Sequence, residues 1–224
     1  MRRLLAAMVL AAAASLPTTA AAEAPWRDAV RAWASEHAQH SAWGVEHAER
    51  NYRLSLQLAA AEGLDVDADV LFAAAYLHDV GAIEPFRQDG VDHARRSVDL
   101  LPTVLLPTGF PEAKLADVET AILGHMFSAD PGDLPEARVF HDADTLDFLG
   151  AIGAARILSL VARHPWATDI DTAAATLRGF TAQLPATLST ESGRAIGRQR
   201  TAELERFLDA LQAQLRIDPA RSTD

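Results

Sequence analysis

The sequence contains no cysteine. Thiolate nucleophiles, disulfides and cysteine-based zinc sites are thereby excluded. Lysine is almost missing too, since Lys114 is the only one and the other basic side chains are arginines. Arginine favours planar, bidentate pairing with phosphate or carboxylate over the role of a point charge. Aromatic residues make up only 6% of the chain. The core must therefore be built from alanine, leucine, valine and isoleucine, a mixture suited to close-packed helices. Positive charge is in deficit, with a formal net charge of -11. Such a chain is a poor binder of duplex nucleic acid through its phosphates. Convincing strand alternation, internal repeats and low-complexity linkers are also lacking. What remains is 224 residues, read as one all-α domain with one core.

One long apolar run is present, at the N-terminus. Arg2 and Arg3 precede an apolar or small stretch from Leu4 to Leu16, and Ala20 to Ala24 offers small-residue cleavage sites. This is the layout of a secretory signal peptide, and the run is short for a bilayer span. The expectation is a leader over 1–22, with cleavage after Ala22 or Ala24. The mature protein is then exported, periplasmic or extracellular, with no membrane span. A single domain is expected over 25–217 and a frayed tail over 218–224.

Helical periodicity and punctuation order the rest. Pro25 opens a helix with Trp26, Val30 and Trp33 on one face. A second helix is expected from Ser41 to Glu62, closed by Gly63. Asp67 caps a third, Ala68 to Asp79. A fourth starts near Asp92 and is disturbed by Pro102, and a fifth spans Pro111 to Met126. A long helix is expected from Glu136 to Arg163, kinked at Gly150 or Gly153. Two more follow, Thr172 to Gln183 and Glu191 to Leu215.

The stretch with chemistry in it is Ala73 to Gly81, where an apolar helix ends in His78-Asp79. A neutral imidazole beside an anionic oxygen suits a mixed nitrogen and oxygen divalent-metal site. Other imidazoles and carboxylates stand at comparable helical positions: His47 with Arg50 one turn later, His93, His125, and the run His141, Asp142, Asp144, Asp147. Helical folds build metal centres by converging such groups from facing helices.

His47-x-x-Arg50, His78-Asp79, and Asp144 within His141 to Asp147 together resemble the HD-domain metal-dependent phosphohydrolases. A compact bacterial subgroup of these is the nearer likeness, through His125 to Ala129, Pro135 to Val139, Asp142 to Arg156 and Gly197 to Leu208. The resemblance covers most of Val45 to Leu215. It implies a compact HD-type helical bundle and a divalent metal held by His47, His78, Asp79 and Asp144. Manganese, iron, cobalt or nickel are favoured, with zinc or magnesium possible. Asp142 and Asp147 would orient ligands or substrate. The subgroup usually has arginine where Thr145 stands. His93 and His125 open the possibility of a second metal.

The implied function is hydrolysis of a phosphate ester or anhydride, with a nucleotide as substrate, by metal-activated water. Asp79, His125 and Asp147 are the candidate catalytic groups. Arg50, Arg87 and His93 are the candidate substrate contacts. The alternatives are an HD-type di-iron oxygenase and a nonenzymatic nucleotide- or metal-binding module. The remaining polar and aromatic residues read more plainly. His37, His40 and His164 are surface or loop residues, and His141 is a helix-start residue. Arg95 and Arg96 pair within the acidic protein, Arg156 is structural, and Trp26, Trp33 and Trp43 are core around the first helix.

Overall fold

The computed structural model describes residues 24–216. The leader and tail expected at the two ends lie outside them. The described residues form helices α1 (Pro25–His37), α2 (Val45–Glu62), α3 (Ala68–Leu77), α4 (His93–Leu105), α5 (Leu115–Leu123), α6 (Pro135–Asp147), α7 (Gly150–Leu158), α8 (Ile170–Gln183) and α9 (Glu191–Leu215). Short 3₁₀ turns follow α3, α4 and α8 and precede α5. None of the helices is long and apolar enough to cross a membrane.

α3 is the axis of the bundle. Every residue from Val70 to Leu77 is buried, as expected of a helix that is apolar all round. Asp67 caps it as the sequence predicts, accepting from the backbone of Asp69 and Val70. α2 packs along both α3 and α6, α5 packs on α3, and α7 and α9 close the other side. Phe72 sits at the centre, with Trp26 edge-on at 5.3 Å and Tyr76 stacked at 4.5 Å.

Several boundaries differ from the sequence reading. α2 begins at Val45, because residues 41–44 form a turn. The buried face of α1 is Trp26, Val30 and Ala34, while Trp33 stacks on His37 at 4.8 Å. Pro102 sits inside α4 without ending it. The long helix expected after Pro135 is two helices. Phe148 and Leu149 separate α6 from α7, and Gly150 takes φ +69°, a left-handed conformation that glycine adopts freely. α5 stops at Leu123, leaving His125 on the segment that follows.

One glycine matters for the site. Gly81 lies in the 3₁₀ turn directly after His78-Asp79, and a Cβ there would collide with the carbonyl oxygen of His93 and the side chain of Arg96. Its bare backbone lets the start of α4 press against the end of α3. The hydroxyl of Ser97 locks the contact, accepting from the Gly81 N–H at 2.9 Å and donating to the His78 carbonyl at 2.6 Å.

Candidate metal centre

The ends of these helices converge on one buried cluster. His47 comes from the first turn of α2, His78 caps α3, and Asp79 follows it. Asp144 projects from α6, His93 opens α4, and His125 follows α5. Nε2 of His47 lies 3.2 Å from Nε2 of His78 and 3.1 Å from Oδ1 of Asp144. Oδ2 of Asp79 stands 3.1 Å from His78 Nε2 and 3.6 Å from His47 Nε2. Two donors about 2.1 Å from one ion stand roughly 3.0 to 3.4 Å apart, and three of these four separations fall in that range.

A second group lies beside the first. His93 Nε2 and His125 Nε2 are 3.3 Å apart. Both face Oδ1 of Asp79, at 3.6 Å and 3.9 Å. Asp79 thus turns one oxygen to each group.

The imidazoles are oriented from behind. Nδ1 of His47 donates to Oδ2 of Asp147 at 2.7 Å, and Nδ1 of His78 donates to the Ala75 carbonyl at 2.9 Å. Nδ1 of His125 donates to the Ile122 carbonyl. In the neutral ring each Nε2 then carries a lone pair, the state a metal ligand requires. The amide nitrogen of Asn51 lies 3.1 Å from His47 Nε2 and donates to Asp144 Oδ1 at 3.0 Å. Its Oδ1 is buried with no partner.

The donor set fits a divalent cation. With the rings neutral, as metal ligands must be, their Nε2 lone pairs face one another, and the carboxylates beside them are ionised. Burial raises Asp79 and Asp144, but the imidazoles outweigh it. His78, then His47 and His125, hold Asp79 well below the usual carboxylate range. His47, His78 and His125 lower Asp144 to about 2. Burial lowers His78, yet Asp79 and Asp144 reverse the balance and raise it to about 9. The pocket therefore stabilises positive charge. Burial and the neighbouring His78 lower His125 to about 4.

Other candidates fall outside the cluster, and the distances say why. Asp147 was a candidate catalytic group, but it is buried behind His47. There it also accepts from Arg50 at 3.0 Å and meets Arg156 at 3.2 Å. His47 and these arginines keep it ionised despite its burial. Its place is that of an orienting carboxylate. Arg50 is paired with Asp147 and lines, with His47, a second cavity beside α2. Arg87 is exposed and paired with Glu84 and Asp89 at 3.3 Å and 2.7 Å. His125, also a candidate catalytic group, donates from Nδ1 to the Ile122 carbonyl, so its neutral ring offers Nε2 as a lone pair and not as an acid. Asp142 faces away from the cluster. Its two oxygens accept from the backbone and hydroxyl groups of Ser189 and Thr190, fixing the start of α9.

The less conspicuous residues also found places. His141 lies in mid-α6 with its nitrogens against the carbonyls of Gly124 and Thr187. Arg95 pairs with Glu119, and Arg96 donates to the Phe86 carbonyl. Arg156 is buried, donates to the Ala42 carbonyl and lies over the Phe148 ring at 4.4 Å, with Nη2 3.3 Å from His47 Nε2. Sequence reading missed Asn51. Its signal was the i,i+4 spacing from His47, which puts both on one face of α2.

In front of the cluster opens a cavity of about 480 Å³, bordered by Asp79, His93 and Asp144. Part of its lining is aromatic. Trp43, His164, Trp166 and Phe148 line it, with Trp43 and Trp166 at 6.2 Å and 74°. Trp43 packs against the core and also faces this cavity, and His40 and His164 have ring partners: His40 stacks on Trp43 at 4.1 Å, and His164 meets it edge-on at 5.4 Å.

Comparison with known proteins agrees with this geometry. The family model described as HD domain matches residues 44–149. No curated protein sequence matches the chain. The fold is similar to that of the crystal structure of Bacillus subtilis YpgQ in complex with ADP, at TM-score 0.64 and 23% identity, covering 85% of this chain and 98% of that one. A Lactobacillus plantarum protein is 26% identical at TM-score 0.61, covering 86% of this chain and 98% of its own. A predicted HD superfamily hydrolase from an uncultured Thermotogales bacterium is 24% identical at TM-score 0.58, covering 85% of this chain and 91% of its own. Fold, family match and a buried histidine and aspartate cluster agree, and residues 44–149 carry an HD domain.

Proposed function

We propose that this protein is a metal-dependent hydrolase of a phosphate ester or anhydride of a nucleotide. The observation that carries the reading is Asp79, whose two oxygens face two groups of inward-turned imidazole nitrogens. His47, His78, Asp79 and Asp144 would hold one divalent cation, and His93 and His125, with the other oxygen of Asp79, a second. The mixed nitrogen and oxygen donors favour manganese, iron, cobalt or nickel. When bound, such an ion lowers the pKa of water toward neutrality and polarises a phosphoryl oxygen.

The protein's own groups do the rest. Asp147 fixes the His47 ring, and the Ala75 and Ile122 carbonyls fix His78 and His125. Asn51 steadies Asp144. Asp79, 17% exposed at the cavity edge, can accept a hydrogen bond from the attacking water and so aim it. The complex of YpgQ with ADP supports a nucleotide as the substrate class. Export through an N-terminal leader is part of the proposal, and N-terminal sequencing of the mature protein tests it.

The deciding experiment is purification without chelator, elemental analysis, and assay of the same sample against nucleoside mono-, di- and triphosphates and cyclic dinucleotides. His78→Ala and Asp79→Ala are expected to lose metal and phosphate release together. Wild-type turnover in either variant overturns the assignment. The pair His93 and His125 also supports a second reading, an oxygen-activating di-iron centre. Oxygen uptake without phosphate release would select it.

A further inference from the structure

The aromatic lining and the charge of the cavity together constrain the substrate. Trp43, His164 and Trp166 are half-buried, so their rings are open to the cavity. They lie edge to face, with His164 5.2 Å from Trp166 and 5.4 Å from Trp43. Phe148 backs Trp166 at 6.1 Å, and Leu123 and Met126 extend the apolar lining. Such a surface takes a flat ring by stacking or edge contact.

The same cavity has no arginine and no lysine along its lining. The cationic candidates are engaged by other groups: Arg50 on Asp147, Arg156 on Asp147 and the Ala42 carbonyl behind the His47 ring, Arg87 on Glu84 and Asp89, Arg95 on Glu119, and Arg96 on a carbonyl. Arg163, beside His164 in sequence, is exposed and does not line the cavity. The charged groups at the border other than the cluster histidine are Asp79, Asp92 and Asp144. One phosphoryl group can be neutralised at the cluster. Each further phosphate would be desolvated among tryptophans and aspartates with no donor fork to meet it.

We infer that the cavity is built for a nucleoside monophosphate, its base against Trp43 and Trp166 and its single phosphate at the cluster, and that it discriminates against di- and triphosphates. This rests on the phosphohydrolase reading of the cluster and adds the substrate class. Trp43 and Trp166 are then the specificity-determining residues. The ADP bound by YpgQ belongs to a chain 23% identical to this one, so the discrimination is tested directly.

The test is equilibrium binding followed by tryptophan fluorescence and calorimetry on the manganese-loaded full-length mature protein. Free manganese is held constant, because triphosphates chelate it. The probes are AMP, ADP, ATP and ribose 5-phosphate. AMP is expected to bind at least tenfold more tightly than ATP and than ribose 5-phosphate. Trp166→Ala and Trp43→Phe should shrink the AMP preference over ribose 5-phosphate, with folding checked by circular dichroism. Ser128→Arg, which adds a cation to the lining, should improve ADP binding at least fivefold. ATP binding as tightly as AMP, ribose 5-phosphate binding as tightly as AMP, or no binding of any probe overturns the inference. If AMP binds with this preference but no phosphoester is hydrolysed, the activity assignment fails and the binding site stands. If phosphoesters are hydrolysed without regard to base or phosphate number, the reverse holds.

Discussion

Oδ2 of Asp147 lies 2.7 Å from Nδ1 of His47, on the side of the ring turned away from the cluster. The two residues come from α6 and α2, 100 positions apart. The carboxylate holds the proton on Nδ1 and leaves the Nε2 lone pair facing His78 and Asp144. Asp147→Asn keeps the size but gives up the charge. It is expected to weaken divalent-metal affinity about 10- to 100-fold, measured by calorimetry with manganese. Unchanged affinity would show that His47 does not need this orientation.

Asp142, two residues before Asp144, provides the contrast. Its hydrogen bonds all run to Ser189 and Thr190 at the start of α9. Asp142→Ala leaves those buried donors without an acceptor, at a cost of about 3 kcal/mol or more. A melting temperature lower by roughly 6 to 12 °C is expected, with metal affinity unaltered. A variant with normal stability and weakened metal binding would place Asp142 in the metal site instead.

Removal of the ion should itself be visible in stability. A ligand present at a hundred times its dissociation constant stabilises by about 2.7 kcal/mol. Saturating manganese should thus raise the melting temperature of the stripped protein by roughly 5 to 10 °C. The same addition to His47→Ala should give a much smaller rise. Equal shifts in the two proteins would place the binding elsewhere.

Away from the site, Asp69 joins Arg27 at 2.6 Å and Lys114 at 2.8 Å. Burial raises its carboxyl, but the hydrogen bonds from Lys114 and Arg27 outweigh it and lower the net value. A carboxylate lowered in the folded state stabilises above its unfolded value, near 3.9, and loses that contribution as pH falls through the folded value. The group is partly exposed, so screening keeps the effect small, about 1 kcal/mol. Asp69→Asn should be less stable than wild type at pH 7, and denaturant midpoints should converge as pH drops below about 4. A gap that does not narrow at all between pH 7 and pH 2.5 would mean the loss is not electrostatic.

The sequence by itself determined the helical class, the capping of α3 by Asp67, the close of α2 at Gly63 and the span of α9. These are local matters: period, cap chemistry and glycine freedom are written within a few neighbouring residues. It also supplied every imidazole and carboxylate of the cluster, because His78-Asp79 and its partners stand out against a chain poor in other chemistry. What only the tertiary structure decided is which way each group faces. Asp142, Asp144 and Asp147 share a short run of one helix, yet the first turns to α9, the second to the cluster and the third to the back of His47. Spacing along a helix fixes an angle around its axis, but the neighbours at that angle are set by the packing of α2, α6 and α9. The same reason hid the aromatic wall. Trp43, Phe148 and Trp166 are separated by more than a hundred residues of chain at their extremes, and only the fold gathers them beside the site.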